Sequence, residues 1–457
     1  MSTIASISTA PGIGGIGIIR MSGEKSFEVL DKIFVAKNKQ NIDEIKGYTI
    51  KYGNIVEDGH IIDEVLVSYF KAPRSYTTEN MCEINSHGGT VIVRKILELC
   101  LKNGAELAEP GEFTKRAFLN GRIDLAQAES VIDVINAKSD KEAKSGIKQL
   151  EGFLSKEIKE IKQEIMDVLV NIEVTIDYPE YDTPEVQQEE LNGMLQSVGQ
   201  RLIKLEKSFD NGKIIKEGIK TAIIGKPNAG KSSLLNLMVG EDKAIVTDVA
   251  GTTRDILEEN ISLHGISLNI VDTAGIRSTD DIVEKIGVDK AKKIASEADL
   301  IIYVVDSSVD FDENDFEIID MIQNKKCIVL LNKSDLKQKI TEKDLQDKLN
   351  RDTIIIKTST KENTGIDEFE DTVKKMFFKG DINLNDELII TNMRHKEKLI
   401  DAYESLKQVK KSLEDRMPED FYSIDLMSAY SSLGAIIGEE VEDDLVNEIF
   451  SKFCMGK

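Results

Sequence analysis

KTAIIGKPNAGKSSLLNLMVG, residues 220–240, runs from an apolar strand-like segment through a glycine-rich turn into a helix-forming segment. Gly225 to Ser232 keep the spacing G-x-x-x-x-G-K-[ST] in the context that such a loop requires, after a strand and before a helix. The glycines let backbone N–H groups close around phosphate oxygens. Asn228, Ala229, Gly230, Lys231, Ser232 and Ser233 are therefore candidate phosphate contacts, with Lys231 reaching the β and γ phosphates and the Ser232 hydroxyl available to Mg²⁺. Asp272-Thr273-Ala274-Gly275 ends the run LNIVD, 40 residues beyond Ser232. A carboxylate there can hold Mg²⁺ through its water shell, and a glycine N–H can meet the γ-phosphate.

The base is read further along. Asn332-Lys333-Ser334-Asp335 ends the run CIVLLN, and the Asp335 carboxylate can accept from both N1–H and N2–H of guanine, which adenine does not offer. Ser359, Thr360 and Lys361, in the loop after TIIIK, are expected to form a supporting wall for the base. Five runs, KTAIIG, LNIVD, LIIYVVD, CIVLLN and TIIIKTS, alternate with helical stretches between residues 216 and 380. Such alternation predicts a mostly parallel sheet with helices on both faces. Together the motifs predict a GTPase domain.

Hydrolysis needs a group to orient water. Many small GTPases carry glutamine after D-x-x-G, and this chain has Ile276 there. Asp280, Asp281 and Glu284 follow closely and are the candidate water-positioners, with a solvated acidic loop as the alternative. Gly251-Thr252-Thr253-Arg254-Asp255 lies where a switch loop is expected, and Thr253 can complete the Mg²⁺ shell with Ser232. Arg254 is either a finger in cis or a surface salt-bridge residue.

The flanks differ in kind. Residues 1–120 mix strand-like runs such as GIGIIRM and EVLVSYF with a helical VIVRKILELC, an α+β pattern. Gly12, Gly14, Gly15 and Gly17 lead into the first of these runs without the dinucleotide spacing G-x-G-x-x-G. Residues 121–215 are helical: Ile147, Leu150, Leu154, Ile158, Ile161, Ile165, Leu169 and Ile172 predict one long amphipathic helix. Pro179 and Pro184 interrupt it, and Leu191, Leu195, Val198, Leu202 and Leu205 resume the stripe, as in a helical hairpin. Residues 381–457 return to charged helices, where Arg394, His395, Lys396 and Lys398 read as a solvated face or a phosphate contact. The simplest organisation is a helical domain built from both flanks with the α/β domain inserted between them.

At 457 residues the chain exceeds a single core, and 40% hydrophobic with 31% charged residues and only 7 Pro speaks for folded domains. The net charge of −23 disfavours nonspecific nucleic-acid binding. The four cysteines lack paired short spacing, which speaks against disulfides or zinc. No tract is long and apolar enough to span a bilayer and the N-terminus lacks a signal-peptide pattern, so a cytoplasmic location is expected.

The segments GKPNAGKSSLLN, IVTDVAGTTRD, DTAGIR with VEKIG after it, SHGG at 86–89, GEFTKRAFLNGRIDLAQAE at 111–129 and the terminal FCMGK together resemble the MnmE (TrmE) family of tRNA modification GTPases along the whole chain. The resemblance implies a K⁺ ion in place of an arginine finger, held by Asn228, Thr247, Val249 and Thr252, within a nucleotide-facing segment that includes Asp248, Ala250, Gly251 and Thr253. It assigns the water-orienting acid to Glu284. It implies an N-terminal domain, residues 1–120, that dimerises and binds 5-formyl-tetrahydrofolate or a related one-carbon folate, with Arg20, Glu83, Arg122 and Lys457 at the matching positions. Members work with an FAD-dependent MnmG (GidA) partner, in a heterotetramer, to add an aminomethyl-type group at carbon 5 of the wobble uridine of tRNA. Cys454 takes the place of the catalytic tail cysteine. Without the resemblance that cysteine reads as a frayed terminal residue. A regulatory or ribosome-assembly switch is the alternative function, and it needs neither a folate-like domain nor the FCMGK tail.

Overall fold

The computed structural model describes residues 1–38, 47–177, 184–241, 259–263, 266–271, 295–323, 325–350, 352–378, 389–439 and 441–457. The chain divides into two compact units, one of Met1–Ile132, Gln149–Val198 and Asp401–Lys457, the other of Asp133–Lys148 and Gly199–Ile400.

The first unit carries β1 (Ile4–Ile7), β2 (Ile16–Ser22), β3 (Phe34–Ala36), β4 (Thr49–Glu57), β5 (His60–Phe70), β6 (Met81–His87) and β7 (Glu106–Leu107). They form one sheet in the order β3-β4-β5-β6-β2-β1-β7, antiparallel except for the parallel β1–β7 pair. Strand alternation sorts the faces. Ile19, Met21, Cys82 and Ile84 are buried in a core with the helices Ser26–Ile33 and Thr90–Lys102. Arg20 and Glu83 alternate with them and so point to the other face as direct cross-strand partners. Gly17 explains the glycine-rich entry to β2: a Cβ there would overlap the Val93 side chain.

Leu154, Ile158, Ile161, Ile165, Leu169 and Ile172 are all buried, as their spacing predicts. The single helix expected through Ile147 is instead two, Asp140–Leu150 and Phe153–Asp177. Gly152 between them has φ +85, which a right-handed helix cannot contain, and the Gln127 amide donates to the freed Leu150 carbonyl at 2.9 Å. Within this unit the Phe153–Asp177 helix packs on the helix Glu419–Ile437. Lys162 is buried there, paired with Glu439 and placed over the Tyr430 ring.

In the second unit β8 (Ile219–Ile224), β9 (Glu259–Leu263), β10 (Ile266–Ile270), β11 (Leu300–Asp306), β12 (Cys327–Asn332) and β13 (Ile354–Lys357) form a sheet in the order β13-β12-β11-β8-β10-β9. All neighbours are parallel except β9 and β10, so the expected mostly parallel sheet is present. Both faces are covered, and every residue of β11 and β12 is buried. Succession runs outward from β8 in both directions, which makes its carboxyl end the topological switch point, where open α/β sheets bind ligands. Chain entry and exit meet closely in this unit: a Cβ at Gly212 would overlap the Ile390 carbonyl, and Ile390 N donates to Ser208 Oγ at 3.0 Å.

The Arg394–Lys398 cluster is not the solvated face expected. His395 is fully buried beside the Arg394 guanidinium, and Lys396 pairs with Glu206 and lies over the Phe209 ring. His395 follows the helical stripe inward with Leu399, which outweighs the charge of its neighbours.

Candidate functional site

The loop Gly225–Ser232 leaves β8 at the switch point and opens the helix Lys231–Glu241. Its conformation dictates its residues. Gly225 and Gly230 have φ +152 and +105, and a Cβ would overlap the Val304 carbonyl at the first and the Asn332 amide at the second. Asn228 sits at φ +62, a left-handed conformation that asparagine tolerates better than most residues. The Lys231 ammonium rests on the loop's own carbonyls, 2.8 Å from Gly225 O and 2.7 Å from Lys226 O. Burial lowers its pKa from the ordinary lysine value. Such a lysine at a helix N-terminus, ringed by backbone N–H groups, is set to exchange two carbonyls for phosphate oxygens.

The base-side residues are tied to this loop. Asn332, almost wholly buried at the end of β12, donates to Ala229 O at 2.9 Å and accepts from Thr360 N at 3.2 Å. Ser359 Oγ donates to Asp335 Oδ1 at 2.7 Å, and Ser334 N to Thr358 O at 3.0 Å. Three segments 100 and more residues apart at the extremes thus form one wall, with the Asp335 carboxylate on it.

Sequence reasoning missed the acidic partners of two lysines. Lys333, at φ +59, reaches Asp306 at 2.5 Å; burial raises the Asp306 pKa, but the Lys333 and Ser308 contacts outweigh it and hold the group below its ordinary value. Lys226 pairs with Asp315 at 2.6 Å and Asp312 at 3.0 Å. The signal for Asp306 was an acid ending an apolar run in the sequence, as Asp272 ends LNIVD. Thr247, Asp248, Val249, Ala250, Gly251, Thr252, Thr253, Arg254, Asp272, Thr273, Ala274, Gly275, Ile276, Asp280, Asp281 and Glu284 lie outside the described residues.

A second constellation occupies the first unit. Arg20 Nε and Nη2 each lie 2.8 Å from Glu83 Oε1, and Arg20 Nη1 donates to Gly456 O at 3.1 Å. The guanidinium of Arg122 lies 4.4 Å from the Tyr76 ring centroid and that of Arg20 5.5 Å from the same ring. Lys457 is half-buried, and burial with the neighbouring Arg20 lowers its pKa against the opposing pull of Glu83. Arg20, Glu83, Arg122 and Lys457, distant in sequence, are therefore gathered around Tyr76 and Phe113. Three cations against one carboxylate, with an aromatic wall, suit a planar anionic ligand.

The tail that brings Lys457 is stitched down rather than frayed. Phe113 N donates to Lys457 O at 3.1 Å, Gly111 N to Cys454 O at 3.4 Å, and Ser8 Oγ to Gly456 O at 3.1 Å. Gly111 has φ +69, and a Cβ there would come 2.6 Å from Phe450 O. Phe450 and Phe453 pack with Phe118 in a shared cluster. Cys454 is exposed, whereas burial raises the thiol pKa of Cys82 well above its ordinary value and pushes those of Cys100 and Cys327 up to about 12. Among the four thiols only Cys454 is open to react.

Comparison with known proteins covers almost the whole chain. The family described as GTP-binding protein TrmE N-terminus matches residues 3–122, and that described as MnmE helical domain matches residues 125–454. A tRNA modification GTPase MnmE of Lachnoclostridium phytofermentans is 52% identical over 456 residues, covering 100% of this chain and 99% of the relative. Proteins of the same name from Acetivibrio thermocellus and Clostridioides difficile are each 50% identical, over 459 and 455 residues, with the same coverage.

Proposed function

This chain belongs to the MnmE family of tRNA modification GTPases, and we propose from that premise that it serves the wobble uridine, adding an aminomethyl or carboxymethylaminomethyl group at carbon 5 together with an MnmG-like FAD protein. It is an enzyme that hydrolyses GTP in tRNA modification. The observation that carries the wobble reading is the stitched tail, which holds an exposed Cys454 next to the Arg20, Glu83, Arg122 and Lys457 constellation. A pure switch has no use for that arrangement.

In the nucleotide half, Asn228 to Ser233 embrace the phosphates, Asp335 takes the guanine edge, and Asn332, Lys333, Ser359, Thr360 and Lys361 frame it. Ser232 and Thr253 would hold Mg²⁺, which would supply neutralising charge to the phosphate oxygens. Glu284 orients the water that displaces GDP from the γ-phosphorus, and Lys231 stabilises the charge that gathers on the β–γ bridge. Asp272 to Gly275 would serve the γ-phosphate side of the site, and Asn228, Thr247, Val249 and Thr252 would hold K⁺, which would supply positive charge there. In the other half Tyr76 would offer an aromatic wall to a one-carbon folate, and Arg20, Arg122 and Lys457 would supply positive charge to it. The protein works in the cytoplasm as a homodimer through its N-terminal domain. No helix of the described residues is long and apolar enough to cross a membrane.

Two measurements test this reading. Mass analysis of wobble nucleosides in a deletion strain should show the modification restored by the wild type and absent with Cys454→Ser, although the variant's GTP turnover stays near wild type. Full modification by the variant would remove the thiol from the chemistry. Tyr76→Ala should weaken 5-formyl-tetrahydrofolate binding on the order of 10-fold by calorimetry, from loss of an aromatic wall and two cation–π contacts. Wild-type affinity in that variant would place the folate elsewhere.

A further inference from the structure

Asp315 is 1% exposed, at the start of the helix Glu313–Ile322. A carboxylate so deeply buried is costly unless its oxygens are satisfied. Three donors meet it: Tyr303 Oη at 2.9 Å on Oδ1, and on Oδ2 the Asp312 N–H at 3.0 Å and the Lys226 ammonium at 2.6 Å. Two of these belong to its own surroundings. Asp312 N completes a capping box, and Tyr303 is a core residue of β11, paired in register with Ile224 at the end of β8. The third comes from the phosphate-binding loop, and nothing in helix capping requires it.

Lys226 is also the hinge of that loop. Its carbonyl accepts from the Lys231 ammonium at 2.7 Å and from Ala229 N at 3.3 Å. A displacement of residue 226 therefore moves both the seat of Lys231 and the turn that aims the N–H groups. Its side chain is 14% exposed and is fixed at the far end by Asp315, with Asp312 as a second, more exposed partner.

We infer that Asp315 is a positioning residue for nucleotide binding, acting through Lys226 to hold the phosphate loop in its binding shape before any nucleotide arrives. The inference rests on the GTPase reading and adds to it a pair of residues that touch no nucleotide. Preorganisation of this kind strengthens binding by removing the ordering cost from the binding step. It acts on GDP and GTP alike, since both carry the phosphates that the loop surrounds.

The test is the dissociation constant of the full-length protein for GDP and for a non-hydrolysable GTP analogue. Lys226→Met and Asp315→Asn should each weaken both on the order of 10-fold, the usual scale for a hydrogen bond to a charged group. The double variant should be no weaker than the weaker single, because the two residues act as one pair. Lys226→Arg, which keeps the charge and a donor, should stay within about 3-fold of wild type. A merely structural role would lower the melting temperature without this pattern. Should Asp315→Asn fail to fold, the methionine and arginine variants at 226 decide: loss with methionine and retention with arginine supports the inference. Wild-type affinity with methionine, or singles that sum in the double, overturns it. A wild-type protein that binds neither nucleotide would instead overturn the GTPase reading itself.

Discussion

GTP turnover in K⁺ should exceed that in Na⁺ by on the order of 10³, the scale of a finger-like contribution. Two deficits motivate this. Ile276 cannot orient water, and among the described residues no arginine stands beside the phosphate loop. A monovalent ion acting where charge develops in a water-poor site would fill that gap. Asn228 offers the side-chain oxygen for it, and the backbone adds a condition to the experiment. At φ +62 an alanine is strained, so Asn228→Ala mixes loss of the ion with distortion of the loop. Asn228→Gly removes the oxygen and keeps the conformation. It should lower the K⁺ rate to the Na⁺ level while nucleotide binding survives. Rates measured in K⁺, Na⁺ and Rb⁺ at equal ionic strength are the readout. Equal rates in K⁺ and Na⁺ for the wild type would return Arg254 to first place.

Asp335→Asn should cost on the order of 100-fold in GTP affinity, since two hydrogen bonds to a charged group are lost. It should raise affinity for xanthosine triphosphate, whose additional carbonyl can accept from the new amide. The Ser359 Oγ contact at 2.7 Å orients the Asp335 side chain, and the asparagine oxygen can keep it, so the fold around the base is expected to persist. Competition between the two nucleotides measures the exchange. An unchanged preference for GTP would detach Asp335 from the base.

Much of the nucleotide half was legible because its residues are forced by backbone geometry. Gly225 and Gly230 occupy conformations and spaces closed to side chains, so spacing alone locates the loop. The buried strands read as apolar runs for the same reason, being covered on both faces. What stayed illegible depends on contacts between distant segments. Nothing in periodicity announces that Lys457 returns to Arg20, or that Tyr76 is shared by two guanidinium groups. Lys226 looked like an ordinary loop residue because its partner Asp315 is 89 residues away in sequence. Composition also misled in two places: the basic cluster that contains His395 turned inward, and Gly152 broke a stripe whose apolar spacing continued across it.

The contact of Gly212 with Ile390 brings the two ends of residues 213–389 together. Chain entry and exit meet there, so the cut ends left by excision would already lie side by side. A linker of a few glycines would close them, and a foreign domain whose termini are adjacent could be spliced between them with little loss of chain entropy. Evolution would meet the same convenience: a segment between these ends could be lost or exchanged at the cost of the last turn of the helix Pro184–Glu217.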